Sequence, residues 1–181
     1  MQRSTSEAAL LRLAATLRDS GYQFVTPTPA THGQVNGRPG NAWARGVEDV
    51  FGWSRPFCDG VLAPGVVALM EEAGVLAPAG VGWRSLVRLS SLGGRLFLHS
   101  AYPTDAADAV FFGPDTYRFA AALEAHLATR QARVHRAVDI GCGAGPGAVL
   151  IALARPRAEV LAVDINDAAL SVRPRTSLGI A

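Results

Sequence analysis

The chain has 181 residues, 49 % of them hydrophobic, and a formal net charge of +2. That length and composition suit one or two compact domains with a real core and exclude an intrinsically disordered chain. All seventeen basic residues are arginine, and the excess is too slight to single out the clustered basic face by which nucleic-acid binders hold phosphates.

No apolar run approaches the roughly 20 residues of a bilayer crossing, and the start lacks a basic-then-apolar leader pattern, so the expectation is a cytoplasmic protein with no membrane partner. Cys58 and Cys142 are the two cysteines. Without a C-x-x-C pair or neighbouring histidines they argue for neither a disulfide framework nor a metal site.

In chain order, Ser4-x-x-Glu7 is a capping-box pattern, and Leu10, Leu13, Ala14 and Leu17 recur at helical spacing, predicting a helix over 5–19. Residues 22–46 are rich in proline, glycine and asparagine and read as loop, with His32 solvated. Val50, Phe51, Trp53 and Phe57 form an aromatic cluster suited to a core. Pro64 opens a short helix that Gly74 closes. Residues 83–92 and 95–100 then read as two strands around Gly93-Gly94, a pair that permits the positive φ a two-residue hairpin turn needs. Arg84, Arg88 and Arg95 would line one solvated side of that hairpin. Helices followed by a hairpin give a winged-helix-like region over 1–100, suited to gripping a partner or capping a site. Residues 101–113 are a connector, and Pro114-Asp115-Thr116-Tyr117 opens a helix with Phe119, Ala122, Leu123 and Leu127 on one face.

The densest signal follows. Val138-Asp139-Ile140-Gly141-Cys142-Gly143-Ala144-Gly145-Pro146-Gly147 reads as strand, glycine turn and helix start, and Val160-Leu161-Ala162-Val163-Asp164 as a second strand ending in a carboxylate. Such a layout holds a nucleotide-like ligand at the end of a parallel sheet, with the acid accepting from both ribose hydroxyls. Gly143-x-Gly145-x-x-Ala148 also satisfies a dinucleotide fingerprint, so an NAD(P)-dependent oxidoreductase is an alternative on these residues alone.

Over 134–170 the sequence resembles the class I S-adenosylmethionine (SAM)-dependent methyltransferases, whose first motif reads D-x-G-x-G-x-G. The resemblance implies a Rossmann-like fold and SAM as cofactor. It places Asp139 near the methionine amine, where a pyrophosphate would be repelled. The Gly141, Cys142, Gly143 and Gly145 turn then surrounds the methionyl and ribosyl parts, with Asp164 on the ribose and Ile165 beside the adenine. Gly113-Pro114-Asp115-Thr116 is similar to the loop ahead of motif I in the small-domain and release-factor glutamine N5-methyltransferases, which brings Thr116 to the cofactor. Glycine and Tyr117 stand where the glutamine enzymes have arginine and glutamate.

The expectation is thus an α/β chain: a helical, winged-helix-like region over 1–100 and a partial SAM-binding domain over 101–181. By resemblance it transfers methyl to nitrogen of a protein or nucleic acid. No N/D-P-P-Y/F motif occurs, so no catalytic residue is identified. The segment after Val134 has room for two strands, and Pro174 interrupts the helix begun at Asp167. A truncated or frame-shifted product, inactive alone and exposing a sheet edge, is therefore expected. A non-catalytic partner-binding protein is the alternative from another class.

Overall fold

The computed structural model describes residues 5–130 and 132–171, without the side chains of Leu170 and Ser171. Four helices come first: α1 (Thr5–Asp19), α2 (Pro29–Asn36), α3 (Val47–Phe51) and α4 (Pro64–Glu72). Two antiparallel hairpins follow, β1 (Leu76–Ala79) with β2 (Gly82–Ser85) and β3 (Val87–Leu92) with β4 (Arg95–Ser100). The second half contains α5 (Pro114–Thr129), β5 (Arg136–Ile140), α6 (Pro146–Ala154), β6 (Glu159–Val163) and α7 (Asp167–Ser171).

The core of the first half is built by periodicity. Ala9, Leu13 and Leu17 place one face of α1 against α4, whose Val66 and Met70 answer it. Val50, Phe51 and Phe57 complete that core with Leu89 of β3, so the aromatic cluster is interior as expected. Ser4 of the capping box lies outside the described residues, and Ser6 Oγ donates to the Ala73 carbonyl at 2.8 Å instead.

Four expectations are corrected. Residues 22–46 are not loop throughout: Thr28 accepts from the Thr31 amide as N-cap and Pro29 takes the first turn, giving α2. His32 on that helix is buried rather than solvated. It packs at a tilt against Tyr102 at a centroid distance of 4.1 Å and against Trp53 at 5.7 Å, while Nε2 meets the Trp53 carbonyl at 2.9 Å. The run over 83–92 divides at Leu86, because the Ser85 hydroxyl bonds the Val87 amide and carbonyl across the break, so β2 and β3 belong to different two-stranded sheets. Finally, the three arginines do not share a solvated side: Arg84 is exposed but Arg88 is buried. The Gly93-Gly94 turn itself is as expected, with φ of +57° and +74° between the paired Leu92 and Arg95.

In the second half, β5 and β6 pair in parallel with Asp139 opposite Ala162 and Ile140 opposite Val163. Helix α6 packs on this ribbon and α5 packs on α6. Alternation puts Ala137, Asp139, Val160 and Ala162 toward the covered side. Val138, Ile140, Leu161 and Val163 sit on the other side, largely exposed among the described residues. A strand apolar on both faces is the signature of a parallel sheet buried on both; here one face has its cover. No described helix is long and apolar enough to cross a membrane.

Candidate functional site

The site forms where β5 gives way to α6. Gly141 (φ +68°), Gly143 (φ +50°) and Gly145 (φ +83°) each take the left-handed backbone that glycine adopts without a Cβ penalty, and the chain reverses between strand and helix within those few residues. The amides of Gly141 and Cys142 both donate to the Val163 carbonyl, at 2.9 and 3.1 Å, which ties the turn to the end of β6. Gly145 donates to the Cys142 carbonyl at 2.7 Å and serves as the N-cap of α6.

Two carboxylates bracket this turn. Asp139 Oδ2 accepts the Ala148 amide at 2.8 Å, so the buried acid sits against the positive end of α6, where a negative charge is favoured. Gly147 is required there, since a Cβ on it would lie 2.8 Å from Asp139 Oδ2. Asp164, just past β6, accepts the Gly143 amide at 2.8 Å through Oδ2 and the Asn166 amide at 3.0 Å through Oδ1. The two acids thus hold the turn between them, and amide contacts fix the orientation of both.

A cavity of about 440 Å³ opens over the turn, within the ~300–1,000 Å³ of small-molecule sites. Thr116, Asp139, Gly141, Cys142, Gly143 and Asp164 all line it. Gly145 shapes the turn without figuring in the lining, and the Ile165 side chain is fully exposed outside it. Thr116 enters on the first turn of α5: its hydroxyl accepts the Gly113 amide at 3.2 Å and its amide donates to the Gly113 carbonyl at 3.0 Å. The loop amides expected to face a ligand are engaged within the protein at Gly141, Cys142, Gly143 and Gly145, so the loop's contribution lies in its shape and its close approach.

Sequence reasoning missed Phe111, Phe119 and Asn166 as lining residues. The two rings are half-exposed apolar surfaces at the cavity, suited to a flat aromatic ligand group. Asn166 accepts the Ala168 amide and donates to the Asp108 carbonyl, at 2.9 Å each, clasping α7 to the connector. Its signal was present, an asparagine just ahead of Asp167-Ala168-Ala169-Leu170 at an N-cap position. Among the described residues no group of histidine, cysteine and carboxylate side chains is arranged to hold a metal ion.

The strand-end acid, the glycine turn under a helix and the second strand-end acid all lie inside the segment that a comparison with known families matches. No curated protein matches the chain. Residues 109–178 match the family model described as Methyltransferase small domain, a family whose members typically use SAM. The match begins in the connector that supplies Phe111, takes in Thr116 on α5 and runs past Asp164, so it covers the whole cavity lining. It supports a class I SAM-dependent methyltransferase and does not favour the oxidoreductase alternative.

Proposed function

We propose that the cavity over Gly141–Gly145 binds SAM and that the chain serves transfer of its methyl group to a nitrogen of a protein or nucleic-acid substrate. The observation that carries this reading is the convergence of Asp139, the glycine turn, Thr116 and Asp164 on one cavity inside the matched segment. The residues present fit the group. A cationic amine is met by the Asp139 carboxylate, a ribose by the Asp164 oxygens, and an adenine by the exposed rings of Phe111 and Phe119.

SAM, when bound, supplies a carbon already activated by its sulfonium, so the protein's task is to hold, orient and desolvate. Asp139, fixed by the Ala148 amide, faces the methionine end. Asp164, fixed by Gly143 and Asn166, receives the ribose hydroxyls. Thr116 and the first turn of α5 cover the cofactor, and the helical and hairpin region ahead of them acts as a winged-helix-like grip on the acceptor substrate. The departure from the glutamine-methyltransferase loop at Gly113 and Tyr117 speaks against a protein glutamine as that acceptor.

Calorimetry with S-adenosylhomocysteine tests the reading. Asp164→Ala is expected to weaken binding by about a hundredfold, or ~2–3 kcal/mol for a charge-assisted double contact. An unchanged dissociation constant rejects the ribose assignment. Tighter binding of NAD than of S-adenosylhomocysteine by the unaltered chain overturns the cofactor.

A further inference from the structure

The small net charge of +2 conceals one strongly basic place. A second cavity, of about 420 Å³, opens between the segment joining α5 to β5 and the segment joining α6 to β6. Arg130, Arg133, Arg155 and Arg157 line it, and among the described residues no aspartate or glutamate does. Arg155 is tied down. Its Nη1 donates to the Ala154 carbonyl at 2.8 Å, and its Nη2 to the Leu127 and Arg130 carbonyls at 2.7 and 2.8 Å, so its charge meets the negative ends of both helices. Arg130, Arg133 and Arg157 are exposed, and no hydrogen bond or ion pair engages their side chains among the described residues. Glu159, the acid closest in sequence to Arg157, is held by Arg136 at 2.8 Å.

Three unengaged guanidinium groups with no counter-charge concentrate positive potential around an open cavity. The chemistry that recognises them is an anion, and arginine is well matched to phosphate. The rest of the lining says which kind of phosphate. Among the described residues no aromatic ring lines the cavity to stack an unpaired base, and no amide or hydroxyl side chain lines it to read a base edge. Nor does a leucine, phenylalanine or tryptophan stand there to enter a lipid surface. The three arginines come from two segments, and no hydrogen bond holds them onto one point, as a site for a single phosphate group requires. Exposed, separately anchored charges suit a row of phosphates instead, whose binding is electrostatic and blind to base sequence.

We propose that this cavity is a binding site for the sugar–phosphate backbone of a nucleic-acid duplex, with Arg130, Arg133 and Arg157 each neutralising a phosphate. The five residues of β5 separate it from the glycine turn, about 17 Å of strand, so the duplex is gripped away from the cofactor cavity. The site stands on the arginine cluster and does not depend on which cofactor that other cavity takes.

Fluorescence anisotropy of a short labelled DNA duplex with the whole chain, without cofactor, tests it. Affinity of the unaltered chain should fall about forty-fold between about 50 and about 200 mM salt, as three neutralised phosphates require. The triple variant Arg130→Gln, Arg133→Gln, Arg157→Gln should bind about tenfold or more weakly at the lower salt, lose most of that salt dependence, and melt with the unaltered chain. A control triple, Arg38→Gln, Arg84→Gln, Arg118→Gln, removes the same charge at exposed positions outside the cavity and should keep both affinity and salt dependence. Absence of duplex binding by the unaltered chain, an unchanged salt dependence in the first triple, or an equal loss in the control overturns the proposal. So does tighter binding of a phosphoserine peptide or of phosphatidylserine vesicles than of the duplex at the same salt. If the first triple does not fold, Arg133→Gln and Arg157→Gln singly decide: a loss of about 0.9 from the logarithmic salt slope in each supports the site, and an unchanged slope in both overturns it.

Discussion

The first hundred residues and the β5–α6–β6 unit use apolar side chains in opposite ways. In the former, Leu13, Leu17, Phe51, Phe57, Met70 and Leu89 close on one another until almost nothing remains in contact with water, and even polar side chains such as Ser90, His99 and Arg88 are enclosed. In the latter, Val138, Ile140, Leu161 and Val163 form a stripe on the open face of a two-stranded ribbon. The lesson is that the closed core and the cavity are separated here. The closed region has stability to give, whereas the open one carries the cavity and relies on a few backbone contacts from Asp139 and Asp164 for its shape.

The sharpest way to break this contrast is a pair of truncations. Leu13→Ala removes a fully buried side chain between α1 and α4 and should cost ~2–5 kcal/mol in urea unfolding, with loss of the cooperative transition in the worst case. Ile140→Ala, at a side chain 81 % exposed, should change stability by less than about 0.5 kcal/mol. Comparable losses at the two positions would mean that the open stripe is covered in solution.

A second pair concerns glycine. Gly147→Ala forces a methyl onto the Asp139 carboxylate and should weaken S-adenosylhomocysteine binding by about tenfold, or ~1.4 kcal/mol, as calorimetry would show. Gly33→Ala in α2, where a Cβ meets nothing within 4 Å, should instead stabilise the fold by about 0.5–1 kcal/mol and leave binding alone. Equal effects on binding would deny Asp139 its part in the site.

The enclosed polar cluster gives a pH signature. Burial pushes the His99 pKa down to about 3, with the Arg88 charge adding to the effect, and lowers His32 in the same direction. Unfolding therefore takes up protons below the ordinary histidine value of about 6.5, and stability falls as pH drops from there toward 3 and is level above it. Between pH 6 and 5, His99→Gln should flatten the slope of unfolding free energy by up to ~1.4 kcal/mol per pH unit; an unchanged slope would place His99 in contact with water. The smallest effect should come from the open stripe. Ile140→Thr is expected to raise solubility in light-scattering measurements with little change in Tm.

The local signals in this chain were strong and read correctly where they stood alone. Proline at the start of α4 and α5, the Gly93-Gly94 turn and the strand–glycine–helix–strand order around Asp139 and Asp164 depend on backbone conformations that few residues permit. Such signals survive without knowledge of the neighbours. Helix α2 was overlooked because its sequence, Pro29–Asn36, has no apolar periodicity and is held instead by a Thr28 cap and by His32 packing on rings distant in sequence.

Which residues meet is a different kind of information. The sequence by itself determined the glycine turn and the two acids, since positive φ and strand-end carboxylates are properties of a short segment. Only the tertiary structure decided that Phe111, Phe119 and Asn166 complete the cavity, that Ile165 stands outside it, and that Arg88 is enclosed rather than solvated. Each of those outcomes is set by the packing of segments far apart in the chain, which covers one face of a strand and leaves the other open, and no local spacing records which face that will be.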